Sequence, residues 1–171
     1  MPLEIERKFL VVADEWRAAV SRSVEMRQGY LSREAGRASV RVRLEGDVAR
    51  LNIKAAVVGS ARAEYEYRIP PADCRELLDT LCVGRVEKIR HYVPHDGLTW
   101  EIDEFLGDNA GLVVAEIELE SADQAFTRPP WLGRELTQDR RYYNHHLALH
   151  PYCSWPEFER AHAREQGADE N

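Results

Sequence analysis

No apolar stretch in this sequence of 171 residues extends beyond a few positions, whereas a membrane-spanning helix needs about 18. The amino terminus also lacks the basic-then-apolar layout of a secretion signal, so the expected location is the cytoplasm, away from any membrane. Cysteine is scarce. Cys74, Cys82 and Cys153 show no metal-ligand spacing and leave one unpaired if any two bridge, which suits a reducing compartment and packing roles. Positive charge is in deficit as well, with 23 Lys and Arg against 30 Asp and Glu and a formal net charge of −7. That balance argues against nucleic-acid or anionic-membrane partners, but leaves room for a small anion in a local basic pocket.

What is present is a soluble, globular composition, 31% charged and 44% hydrophobic. The length suits a single domain spanning 1–171. Period-two alternation marks eight strands, at about 3–12, 24–32, 38–45, 48–55, 62–69, 85–94, 98–106 and 111–120. Their short connections favour an antiparallel sheet. Helical signals are fewer. Asp14 is placed to cap a short helix through Ser21, and Pro70 and Pro71 open a second whose Leu77, Leu78 and Leu81 share a face and whose Gly84 is a natural stop. Thr137 precedes a third, "QDRRYYNHHLALH", ended by Pro151, and a fourth follows Pro156. Helices over about 137–165 and a fraying tail are therefore expected to complete an α+β, mainly β, fold.

The strands share an unusual feature. In "LEIERKFLV" Glu4, Glu6 and Lys8 alternate with apolar residues. Arg41 and Arg43 do so in "ASVRVRL", and Arg50, Asn52 and Lys54 in "RLNIK". Arg62, Glu64, Glu66 and Arg68 stand opposite Tyr65, Tyr67 and Ile69. Lys88 and Arg90 follow, then Glu101 and Asp103, then Glu116, Glu118 and Glu120. Arg7 and Glu87 break the alternation, and their stems could snorkel at a barrel end. One acidic-and-basic strand face is ordinarily a solvent-facing edge, but ordinary wet faces carry more Ser, Thr and Gln than these do.

Same-face neighbours on a strand lie roughly 7 Å apart, where two carboxylates repel by about 2 kcal/mol at an effective dielectric near 20. Divalent cations such as magnesium or manganese relieve that cost through hard oxygen ligands. The basic pairs match phosphate. An eight-stranded antiparallel barrel encloses space for one small ligand, so closing the sheet with its charges inside would hold metal and phosphate side by side. The apolar face then turns outward, where the helices and the Tyr65 and Tyr67 stripe would pack. His146 and His150 share a helical face, but no third zinc ligand of matching geometry is evident, and His145, His146 and His150 are read as a solvated helix.

In order along the chain, E-x-E-x-K (Glu4, Glu6, Lys8), "QGYL" at 28–31, R-x-R (Arg41, Arg43), "LNIK" ending at Lys54 and "EYEY" at 64–67 resemble the CYTH superfamily of triphosphate tunnel metalloenzymes. So do K-x-R (Lys88, Arg90), "WEIDEF" at 100–105, "AEIEL" at 115–119 and "DRRYYN". The resemblance implies an eight-stranded tunnel that binds linear triphosphates with divalent metal, Mg2+ or Mn2+ and two ions, and hydrolyses or cyclises them. It implies Glu4, Glu6, Glu116 and Glu118 as metal ligands with Asp103 as a further one. Lys8, Arg41, Arg43, Lys54, Lys88 and Arg90 would clamp phosphate, and Glu64, Glu66 and Glu101 would orient those bases. Asn52 stands where many members show a hydroxyl residue. Tyr30 and Lys8 are the candidate catalytic groups, Tyr30 as proton acceptor or else as a barrel-wall residue.

The function that follows is hydrolysis of inorganic tripolyphosphate to pyrophosphate and phosphate, most like the small bacterial members. The alternatives are a class IV-type adenylate cyclase, a thiamine triphosphatase or a noncatalytic polyphosphate-binding module. An oligomer is compatible with the sequence, but no feature requires one.

Overall fold

The computed structural model describes residues 2–33, 36–157 and 159–160. Its strands are β1 (Leu3–Val11), β2 (Arg22–Tyr30), β3 (Ala38–Glu45), β4 (Val48–Ala55), β5 (Ala61–Ile69), β6 (Gly84–His95), β7 (Leu98–Phe105), β8 (Val113–Glu118) and β9 (Leu132–Glu135). The first eight follow the order β5-β4-β3-β2-β6-β7-β8-β1, and pairing of β1 with β5 closes them into an antiparallel barrel. The helices α1 (Pro71–Thr80) and α2 (Asn144–Leu149) flank it together with short 3₁₀ turns. No helix among the described residues is long and apolar enough to cross a membrane.

The closing seam is built unevenly. One edge of β1 pairs with β8 from Glu6 to Leu10. Its other edge pairs with β5 only over Leu3–Ile5 and with β9 at Phe9 and Val11. Between these two partners the free backbone groups of β1 are met singly. Glu6 N donates to Ser60 O at 2.8 Å, Lys8 N to the Thr137 hydroxyl at 3.0 Å, and Lys8 O accepts from Leu136 N at 2.7 Å.

The apolar faces turn outward and are covered there. Val42, Leu44 and Ala49 on β3 and β4 pack under Cys74 and Leu78 of α1. Phe9, Val93, Trp100, Ile102 and Ile117 pack with Trp16 of the 3₁₀ turn Glu15–Ala19 and with Trp131. Gly29 of "QGYL" shows why the contact with α1 needs glycine. A Cβ there would stand 2.5 Å from the Cys82 Sγ and 3.0 Å from Leu78, so Gly29→Ala is expected to cost about 1–3 kcal/mol as overpacking, read as a lower urea midpoint.

Several elements differ from the sequence reading. The helix expected from Asp14 to Ser21 is a single 3₁₀ turn, with no side-chain hydrogen bond from Asp14 capping it; it is held instead by Arg17, which pairs with Glu104 at 2.5 Å. The helix expected after Thr137 is broken into a turn at Arg140–Tyr142 and the six residues of α2, because Thr137 serves the β1 edge rather than a helix cap. β9 is an added strand. Tyr65 and Tyr67 do not pack away: they are 39% and 56% exposed, since α1 rests on β3 and β4. Arg7 pairs with Glu135 and lies over Phe126, and Glu87 faces Arg27 at 3.6 Å. The helix expected after Pro156 is helical at Glu157, Glu159 and Arg160, and the chain beyond, with the tail, lies outside the described residues.

Candidate active site

Alternate residues of a strand share a face, and following that rule down the barrel interior locates the site. On four strands a charged residue stands two positions from an apolar one on the same face: Lys8 from Leu10, Lys88 from Val86, Asp103 from Phe105 and Glu116 from Val114. All four apolar residues fall in one cluster with Leu136, Tyr142 and Leu147. One end of the barrel is therefore an apolar plug, covered by the segment that carries α2. The rest is a cavity of about 1140 Å³.

Every residue nominated from sequence lines this cavity except Asp103. Asp103 lies beneath the surface, where Lys88 Nζ meets its Oδ2 at 2.7 Å and Arg90 Nε and Nη2 meet Oδ1 and Oδ2 at 2.8 and 2.9 Å. Two cations share it and hold its carboxyl low against burial. Lys88 is 1% exposed at the junction of plug and chamber. Burial outweighs its attraction to Asp103 and depresses its pKa to about 7.

The acidic residues gather along β1, β7 and β8. Glu6 faces Glu118, Lys8 faces Glu116, and Glu101 faces Glu116 across the ladders. Burial and the neighbouring Glu116 raise Glu6 to about 8, and burial raises Glu101 to about 6 although Arg90 opposes it. Burial and the nearby Glu4 and Glu64 also raise Glu118. Glu116 behaves oppositely: burial works against its charge, but Lys8 and Arg90 hold it well below the usual carboxylate range.

This donor set fits a divalent cation, because a carboxyl driven to stay protonated at neutral pH beside other carboxylates is relieved by bound positive charge. Within the described residues no three His, Cys, Asp or Glu already converge on one point. Internal cations engage the carboxylates instead: Lys54 with Glu4 at 2.7 Å, Arg62 with Glu6 at 3.2 Å and Lys8 with Glu116 at 3.2 Å.

The basic groups line the other walls. Arg43 is partly buried beside Arg41 and Arg90, and burial, then those like charges, lower it to about 10. Its Nε donates to Gln28 Oε1 at 3.0 Å. Arg41 lies 3.9 Å from Glu66, which also meets Arg50 at 3.4 Å. Glu64 accepts from Asn52 at 2.6 Å, so Asn52 orients an acid of the wall. Glu101 pairs with Arg90 at 2.8 Å. Tyr30 is buried, accepts from Gln28 Nε2 at 3.0 Å and stacks on His145 with ring centroids 4.8 Å apart.

The sequence reading missed Gln28, Arg62, Tyr143, Asn144 and His145 as site residues. Asn144 Oδ1 accepts from Lys88 Nζ at 2.9 Å and from Gln28 Nε2 at 3.3 Å. His145 and His146, expected to be solvated, are partly buried and line the chamber, because α2 turns one face into the barrel. "QGYL" and "DRRYYN" were visible as motifs, but amides carry no charge signal by which to find them.

Residues 2–146 match the CYTH domain profile. The chain is 44% identical over 158 residues to the inorganic triphosphatase of Acetivibrio thermocellus, across 92% of this chain and 100% of that protein. It is 39% identical over 150 residues to the inorganic triphosphatase of Nitrosomonas europaea, across 85% and 97%. The crystal structure of the inorganic triphosphatase NE1496 superposes with a TM-score of 0.64 at 37% identity, covering 85% of this chain and 97% of that one.

Proposed function

The chain belongs to the CYTH family, and from that premise we propose that it is a metal-dependent triphosphatase cleaving inorganic tripolyphosphate to pyrophosphate and phosphate. The observation that carries this reading is one chamber inside the barrel in which carboxylates of β1 and β8 stand beside arginines and lysines of β3, β4 and β6. An anion alone would not need the acids, and a cation alone would not need the bases.

Arg41, Arg43, Lys54 and Arg90 clamp the phosphates, and phosphoryl transfer requires little beyond such positioning and charge neutralisation. Glu4, Glu6, Glu116 and Glu118 hold one or two divalent ions, Mg2+ or Mn2+, which when bound supply charge neutralisation and Lewis acidity. Asp103, with both oxygens taken by Lys88 and Arg90, orients those cations.

Lys88 suits proton transfer better than the two groups nominated from sequence. Glu116 at 3.2 Å, seconded by Glu6, raises the Lys8 ammonium against the effect of burial, so it stays charged and binds phosphate. Tyr30 is fixed by Gln28 and His145 and completes the wall. In neutral Lys88 the two N–H groups serve Asp103 and Asn144, which leaves the lone pair free to take a proton from water.

The match over residues 2–146 and the packing of Tyr152 and Trp155 on the plug support a single domain; three unbridged cysteines suit a cytoplasmic location. The test is phosphate release from tripolyphosphate, ATP and thiamine triphosphate with Mg2+ or Mn2+, alongside an assay for cyclic AMP. Fastest turnover of tripolyphosphate is expected. Cyclic AMP formation or preference for thiamine triphosphate would replace the reading, and tight binding without turnover would reduce the protein to a polyphosphate-binding module.

A further inference from the structure

We propose that Tyr143 is a positioning residue that orients Lys8 and Arg62 toward phosphate with the face of its ring, while its hydroxyl locks the barrel seam. The ring carries two cations at once, Lys8 Nζ 5.1 Å and Arg62 Cζ 5.2 Å from its centroid. Its hydroxyl donates to Thr137 O at 2.6 Å and accepts from Gly59 N at 3.4 Å. Tyr143 thereby joins the segment before β5 to the segment after β9, the two flanks of the stretch of β1 that neither strand covers. Its neighbours act in the same direction: Tyr142 O accepts from Lys8 Nζ at 3.4 Å, and Asn144 holds Lys88.

An aromatic face is the suitable partner here. A carboxylate would neutralise the cations that phosphate needs, whereas a ring orients a cation and leaves its charge available. This matters most when the site is loaded. The acids paired with Lys8 and Arg62 are Glu116, Glu6 and, at 3.9 Å, Glu4, the proposed holders of the divalent ion. With those acids engaged by a divalent ion, Tyr143 and the Tyr142 carbonyl would remain to keep these cations aimed into the chamber.

The inference rests on the triphosphatase reading, and its test separates the two. Tyr143→Phe keeps the ring and removes the hydroxyl; Tyr143→Leu removes both. With saturating Mg2+, Phe is expected to leave KM for tripolyphosphate within about twofold, and Leu to raise it about tenfold with a smaller change in kcat, the scale of two partly desolvated cation–ring contacts. Equal KM values in the two variants, or losses that merely follow melting temperature, would overturn the proposal. In metal-free protein, ring-current shifts of the Lys8 Hε and Arg62 Hδ protons should persist in Phe and vanish in Leu; identical shifts in all three proteins would also overturn it. Failure of wild type to bind or hydrolyse tripolyphosphate would end the triphosphatase reading alone, and the NMR comparison would still decide the placement of the cations.

Discussion

Glu6→Gln is expected to lower tripolyphosphate hydrolysis by about 10²–10³-fold, the scale seen when one electrostatic stabiliser of a transition state is removed, while leaving the metal-free protein at least as stable as wild type. The two effects have one cause. Glu6 is buried beside Glu116, which raises its folded pKa to about 8 from 4.5. Between those values the folded chain holds a proton that the unfolded chain has released. This group therefore makes stability fall as pH rises from about 4.5 to 8. Glutamine has no charge to suppress, so the melting temperature of the variant in EDTA should gain on wild type as pH climbs through that window. Mg2+ should reverse the ranking, because the metal competes with the Glu6 proton and raises the wild-type melting temperature increasingly up to pH 8. Full activity in the variant, or an equal Mg2+ response in both proteins, would remove Glu6 from the metal site.

Much of this arrangement was legible in the sequence because a strand has a period of two. Glu4, Glu6 and Lys8 fall on one face whatever the twist or closure of the sheet, and the same holds for Arg41 with Arg43 and for Glu116 with Glu118. Alternation says nothing about where along a face the chemistry stops. Leu10, Val86, Phe105 and Val114 continue the charged faces in register, yet they form the plug that desolvates Lys88, and that depth depends on barrel stagger rather than on local pattern. β9 escaped notice because four residues, "LGRE", carry no period, and its Gly133 is required by contact: a Cβ there would stand 2.6 Å from Val12 Cγ1. The stretch "QDRRYYNHHLALH" reads as one helix between Thr137 and Pro151. Leu136 and Thr137 instead complete the β1 edge, and Tyr142, Tyr143 and Asn144 serve the cations Lys8, Arg62 and Lys88, a tertiary demand that local propensity cannot announce.

Lys88→Met and Lys88→Arg should separate proton transfer from phosphate binding. Methionine fills a similar volume and removes both roles, so a loss of about 10²–10⁴-fold in kcat/KM is expected if Lys88 is the base. Arginine keeps the positive charge but does not release its proton near neutral pH, so it should fail nearly as badly; recovery of activity in Lys88→Arg would reduce Lys88 to a clamp. The wild-type profile supplies the second check. A base must be deprotonated to act, so kcat/KM should fall as pH drops through about 7, the depressed value imposed on Lys88 by burial and only partly offset by Asp103. The folding linkage runs in a matching direction. An unfolded lysine keeps its proton up to about 10.5, so between about 7 and 10.5 the unfolded chain binds more protons than the folded one, and this group makes stability rise with pH across that range. Lys88→Met should flatten that rise in urea unfolding, which ties the acid limb of catalysis and the alkaline gain in stability to the same buried amine.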